Sequence, residues 1–186
     1  DDVPVIGFVG RLVMEKGLDV FSDSIDQLEK RGIAHKVLVI GDGPARDWFQ
    51  RRLPNAIFAG FQQGPALGRA VASMDMLFNP SVTETFGNVT LEAMACNLPV
   101  VAAHATGSAR LVADGITGRL VAPGAIGAFA DALGTYCSDP AMRAAAGQAG
   151  RAAANRYGWD QVNQALVDQY LRIVRQRAAG GGPPMR

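Results

Sequence analysis

The chain has 186 residues, 48% of them hydrophobic, a formal charge of +1 and two cysteines. That composition fits one compact domain burying roughly 70% of the surface its unfolded chain exposes, and it excludes a disulfide scaffold: Cys96 and Cys137 lie on unrelated segments and point to a reducing, cytoplasmic setting. It also excludes a dedicated nucleic-acid binder, which needs many phosphate-neutralising cations, and a bilayer-spanning helix, because the longest apolar runs are strand-sized.

Short β-branched runs alternate with longer helical patterns, the arrangement of a parallel sheet covered on both faces. Pro4–Gly10 (PVIGFVG) reads as the first strand. Leu18, Phe21, Ile25 and Leu28 follow at helical spacing, and the pattern stops at Gly32. Lys36–Gly41 is the second strand, Ala56–Ala59 the third, Met76–Asn79 the fourth, Pro99–Ala102 the fifth and Gly118–Val121 the sixth, with helices expected at 45–53, 64–73, 87–96 and 106–113. Beyond Pro123 the pattern is helical, with stops near Pro140 and Gly158, and residues 178–186 read as a flexible tail. The fold class is therefore α/β, a Rossmann-like parallel sheet of about six strands spanning residues 1–177. Asp1 and Asp2 open the chain with no initiator methionine and no signal-peptide pattern, which suggests an excised fragment. Residues 141–186 carry seven Arg against Asp160 and Asp168 alone. A solvated helix face is the simplest reading of that excess, and peripheral contact with an anionic membrane surface is the alternative.

In an open parallel sheet, ligands bind beyond the carboxyl ends of the strands. Two loops there carry chemistry. After the first strand comes Gly10-Arg11-Leu12-Val13-Met14-Glu15-Lys16-Gly17, which sets two cations at the sheet edge. Such cations can clamp a diphosphate and stabilise charge growing on it as a leaving group; the plainer alternative pairs them with Glu15 or Asp19 on a helix surface. After the fourth strand comes Pro80–Cys96, with Glu84 in the loop and Glu92 eight positions on, just beyond the first turn of a helix starting near Phe86–Asn88. A helix tip suits a diphosphate, Gly87 permits close backbone approach, and Glu92 can accept hydrogen bonds from a vicinal diol such as a ribose. The dipole alone would also favour both glutamates.

Several motifs in order then become informative. G-R-x4-K at Gly10–Lys16, G-D-G-P at 41–44, E-x7-E at Glu84–Glu92 with its inner T-F-G, P-V-V-A at 99–102, D-G-x-T-G-x-L-V at 114–121 and Y-G-W-D at 157–160 together resemble the C-terminal domain of group 1 (family 4) glycosyltransferases of the GT-B fold, over nearly the whole chain. The resemblance implies a domain that holds a UDP- or GDP-linked hexose donor, while a separate N-terminal domain of the same enzyme, absent from this chain, holds a glycan or lipid acceptor. It implies Arg11 and Lys16 on the diphosphate, Glu92 on the ribose and Glu84 on the donor sugar. Gly10 with the backbone of Phe86, Gly87, Asn88 and Val89 would line phosphate and sugar, and the loop around Phe61 and Gln62 would border the base. It further implies retention of anomeric configuration, a cytoplasmic enzyme that can lie at the inner face of the membrane, and no cofactor or metal. The sequence independently lacks any Asp-x-Asp pair to bridge a divalent ion to a diphosphate.

This chain departs from the family in two places. Asn97 stands where glycine commonly precedes the P-V-V-A strand and is expected in a left-handed helix cap. Thr106-Gly107-Ser108-Ala109-Arg110 places arginine where a glutamate is usual, which marks either an anionic sugar or an ordinary surface charge. His104 reads as a loop histidine or an acid-base helper, Cys96 as a packed small residue, and Trp159, Val162, Leu166, Tyr170 and Ile173 as a stripe for core or interdomain packing. A non-catalytic nucleotide-binding or interaction module is the alternative function. A dinucleotide oxidoreductase is disfavoured, because Pro44 intrudes on Gly41-Asp42-Gly43 and position 46 is Arg.

Overall fold

The computed structural model describes residues 3–105 and 107–180, the side chains of 159 and 178–180 excepted. Among these, six parallel strands form one sheet: β1 (Val5–Val9), β2 (Lys36–Ile40), β3 (Ile57–Gly60), β4 (Met76–Asn79), β5 (Val100–Ala103) and β6 (Gly118–Val121), in the order β3-β2-β1-β4-β5-β6. β4 and β6 fall where the sequence places them; β3 and β5 are each displaced by one residue towards the C-terminus.

The pleat explains why these strands are hydrophobic on both faces, since successive side chains point to opposite sides. Ile6 and Phe8 of β1, Met76 and Phe78 of β4, and Val101 and Ala103 of β5 enter one core; Leu77 of β4 and Val100 and Ala102 of β5 enter the other. The first core is organised by aromatic rings. Phe21 stacks on Phe78 with centroids 4.8 Å apart and meets Phe8 edge-on at 5.5 Å. These are the offset and T-shaped geometries that ring quadrupoles favour.

Helices cover both faces: α1 (Leu18–Lys30), α2 (Arg46–Arg52), α3 (Gly64–Ala72), α4 (Asn88–Ala95), α5 (Ser108–Leu111), α6 (Ile126–Ser138), α7 (Pro140–Ala154) and α8 (Trp159–Gly180). α1 buries the expected stripe of Leu18, Phe21, Ile25 and Leu28. α7 opens with Pro140 in its first turn and Asp139 as N-cap, its carboxylate accepting from Met142 N at 2.8 Å. Asn97 has φ 62°, the left-handed cap anticipated from the sequence.

One expectation is corrected, and a second, core or interdomain packing for the α8 stripe, loses its core half. The helix expected over 106–113 is only Ser108–Leu111, because Val112 is already extended. The α8 stripe is not core: Val162, Leu166, Tyr170 and Ile173 are 40–61% exposed. Trp159 belongs to the same stripe, but its side chain lies outside the described residues. Of the tail at 178–186, the first three residues continue α8 and 181–186 lie outside the described residues.

Candidate active site

The strand order reverses direction between β1 and β4, and at such a switch point the loops leaving the two strands diverge and open a crevice at the carboxyl edge. The β1 loop is held from below. Leu12 is fully buried, Gly10 N donates to Ile40 O at 2.9 Å, and Leu12 N donates to Asp42 O at 2.9 Å. Gly41 completes this floor with φ 137° and so little room that a Cβ would stand 1.9 Å from Gly10 O. The backbones after β1 and β2 therefore touch, which only glycine at position 41 allows.

A short 3-10 turn, Met14–Lys16, then reverses the loop into α1 and separates its two cations. Arg11 stays at the surface, 3.4 Å from Glu15, an exposed pair of the kind the plainer sequence reading foresaw. Lys16 turns inward instead. Its Nζ donates to Glu84 Oε1 at 2.7 Å, and the two side chains are only 19% and 16% exposed. A contact across 68 residues of sequence joins the loop after β1 to the loop after β4, and its partial burial makes it stronger than a surface ion pair.

The β4 loop is itself braced. Asn79 Oδ1 accepts from Ser81 N at 3.3 Å, and Glu84 O accepts from Gly107 N at 3.0 Å. Gly87, in a left-handed conformation with φ 93°, ends the loop and caps α4. α4 has no side-chain cap and no acidic residue in its first turn, so its leading N–H groups keep their capacity to bind an anion.

A cavity of about 260 Å³ lies beside this helix start. Val9, Ile40, Leu67 and Val89 give it apolar walls, Phe61 and Gln62 border one side, and Arg11 and Glu92 share it. Asp42 also lines it, its carboxylate held by Gly43 N and Arg46, and an apolar slot with one cation and the carboxylate of Glu92 at its edge suits a flat heterocycle joined to a polar, anionic chain. Much of Glu92 faces solvent, yet desolvation raises its carboxyl above the ordinary range.

The structure thus brings together Gly10, Arg11, Gln62, Val89 and Glu92 around one cavity, and separately joins Lys16 to Glu84, neither of which lines that cavity. Phe86 and Asn88 stand exposed on the helix tip outside that lining, Phe86 against Tyr157 with ring centroids 5.8 Å apart. Gly87 is buried between them. His104 is exposed and anchored through its backbone N to Val121 O at 2.7 Å. Cys96 packs into the second core, where burial raises its thiol pKa, as a packing role requires. Among the described residues, no group of three His, Cys, Asp or Glu side chains is placed to hold a metal ion, and no helix is long and apolar enough to cross a membrane.

Sequence reasoning missed the walls formed by Val9, Ile40 and Leu67, although the first two immediately precede the glycines that mark the strand ends. It also missed a polar recess of about 490 Å³ lined by Thr83, Glu84, Thr85 and Arg110. Only the parallel neighbours β4 and β5 bring those segments side by side.

Comparison with known proteins agrees with this geometry. Residues 3–139 match the family model described as glycosyl transferases group 1. The sulfoquinovosyl transferase of Arabidopsis thaliana is 37% identical over 161 residues, covering 84% of this chain and 31% of the relative. A GDP-mannose-dependent alpha-mannosyltransferase of Mycolicibacterium smegmatis is 34% identical over 187 residues, covering 96% of this chain and 46% of the relative. The crystal structure of Anabaena HepE in complex with UDP superimposes with a TM-score of 0.79 at 28% identity, covering 90% of this chain and 48% of that protein. The chain thus spans less than half the length of each of these proteins. Its strand order, its paired loops and the match across most of its length make it a member of the group 1 glycosyltransferase family.

Proposed function

We propose that this chain is the donor-binding half of a retaining glycosyltransferase and takes a UDP- or GDP-linked hexose. The observation that carries the reading is that the partly buried Lys16–Glu84 pair ties the loop after β1 to the loop that leads into an uncapped helix start, and that this helix borders an apolar slot shared by Arg11 and Glu92. The base enters the slot against Phe61 and Gln62, and Glu92 accepts hydrogen bonds from the ribose hydroxyls. The diphosphate sits over the start of α4, near Gly10, Gly87, Asn88 and Val89, with Arg11 and Lys16 as counter-charges. Relatives with UDP bound or with GDP-mannose in their names support either base.

In the transfer step the bond from the anomeric carbon to the β-phosphate oxygen breaks and its electron pair stays on the phosphate. An acceptor hydroxyl adds to the same face of the sugar, and its proton passes to the departing phosphate. Arg11 and Lys16 stabilise the charge that grows on the leaving oxygen, an interaction stronger in the transition state than before it. Glu84, already engaged by Lys16, orients the sugar and balances charge rather than attacking it. Cations do the work of a divalent metal, so no cofactor is needed. Residues 1–177 form the donor unit, and a separate N-terminal domain of the same enzyme brings a glycan or lipid acceptor and packs on the exposed stripe of α8. The whole works in the cytoplasm, at the inner face of the membrane where the acceptor is a lipid.

Titration calorimetry of this chain with UDP and GDP tests the reading. One nucleotide is expected to bind with a Kd in the micromolar to millimolar range, about −4 to −8 kcal/mol, with no change on adding a chelator. Glu92 must be ionised to accept two hydroxyl donors, and its pKa is raised. Affinity should therefore fall on acidification at a higher pH than an ordinary glutamate would dictate, and Glu92→Gln should remove that dependence. Absence of binding by either nucleotide, or a requirement for a divalent ion, contradicts the reading.

A further inference from the structure

Arg110 is exposed, and among the described residues its guanidinium has no acidic or hydrogen-bonding partner. It nevertheless lines the same recess as Glu84, together with Thr83 and Thr85. The juxtaposition is built into the backbone. Gly107 N donates to Glu84 O at 3.0 Å, and Arg110 N donates to Gly107 O at 3.1 Å. Gly107 packs so tightly that a Cβ there would lie 2.6 Å from Phe86 O and 2.9 Å from Gly87 N. α5, which carries Arg110, is thus fastened to the loop that ends at the start of α4.

The charges of this corner do not cancel. Lys16 and Glu84 neutralise one another at 2.7 Å, which leaves Arg110 as a surplus positive charge in a recess otherwise lined by two hydroxyl side chains. A neutral hexose has nothing to offer a guanidinium there beyond hydroxyl acceptors. The Thr83 hydroxyl is taken up by Ser81 Oγ and Glu15 O, so a carboxylate or sulfonate would meet a planar fork of donors beside Thr85, the geometry in which arginine recognises planar or multi-oxygen anions.

We propose that Arg110 is a specificity-determining residue that selects a donor sugar carrying an anionic substituent. The proposal rests on the reading of this site as a nucleotide-sugar site, with the sugar lying on the Glu84 side of the diphosphate. Glu84 holds the ring, and Arg110, across the same recess, holds the anion.

The experiment compares UDP, UDP-glucose and UDP-glucuronate, and GDP, GDP-mannose and GDP-mannuronate, by calorimetry on the wild-type chain and on Arg110→Glu and Arg110→Lys. The readout is each sugar nucleotide's affinity relative to its parent nucleotide. In the wild type the uronate form is expected to bind about fivefold tighter than its neutral counterpart, the scale of a partly exposed charge pair. Arg110→Glu should reverse that preference, and Arg110→Lys should keep its sign with a smaller ratio, because a point charge replaces the fork. Equal ratios for neutral and anionic sugars in the wild type, or a preference that survives Arg110→Glu, overturn the proposal while UDP or GDP binding leaves the nucleotide-sugar site standing. Failure of every nucleotide to bind overturns both.

Discussion

Lys16→Ala is expected to weaken binding of UDP or GDP by about 3 kcal/mol, roughly 150-fold, the loss that accompanies removal of a charge-assisted hydrogen bond from a partly desolvated site. The size follows from what the substitution leaves behind. Lys16 Nζ is bound to Glu84 Oε1, and both side chains are mostly buried. Without the lysine, the diphosphate loses a counter-charge and also meets an uncompensated carboxylate. The double variant Lys16→Ala/Glu84→Gln should therefore recover part of the loss, about 1 kcal/mol, because it removes the repulsion without restoring the cation. Arg11→Ala should cost less, since Arg11 is 71% exposed and bonded to the similarly solvated Glu15. Calorimetry on the four chains measures this order directly. Equal losses at Arg11 and Lys16 would mean that burial does not govern the site.

The second large effect is on stability. Gly41→Ala is expected to destabilise the chain by about 3 kcal/mol or more, since a side chain at φ 137° is strained and its Cβ would overlap the Gly10 carbonyl. The β1 and β2 loops would have to part, which breaks the floor beneath the cavity, so nucleotide binding should fail along with stability. Gly32→Ala is the matched control. Gly32 has φ 68°, and a Cβ added there would meet nothing within 4 Å, so only the backbone penalty of about 1 kcal/mol remains. Urea unfolding of both variants separates the two costs, because a midpoint shift as small for Gly41→Ala as for Gly32→Ala would show that the two loops are not in contact.

What could be read before folding follows from the range of each signal. Alternation and helical spacing are local, and they located β4, β6 and the buried face of α1 at the residues observed. The motif order pointed to the two loops and the helix start for the same reason, since glycines and charges mark strand ends. The Lys16–Glu84 bond is different. It depends on β1 and β4 being neighbours, a fact of sheet order that no window of sequence contains. The recess that joins Arg110 to Glu84 likewise exists because β4 pairs with β5 and because Gly107 permits backbone contact. The exposed stripe of α8 shows the opposite limit. Helical spacing declares an apolar face but not what covers it, and among the described residues Val162, Leu166, Tyr170 and Ile173 stand open.

A crystal structure of the chain with UDP or GDP bound addresses the central claim, that cations and a helix start converge on a diphosphate beside a nucleoside slot. The expected result is a β-phosphate within hydrogen-bond distance of Lys16 Nζ and the leading amides of α4, with both ribose hydroxyls on Glu92. A nucleotide seated in the groove between α3 and α4 near Cys96, with Lys16 still bound only to Glu84, would contradict it.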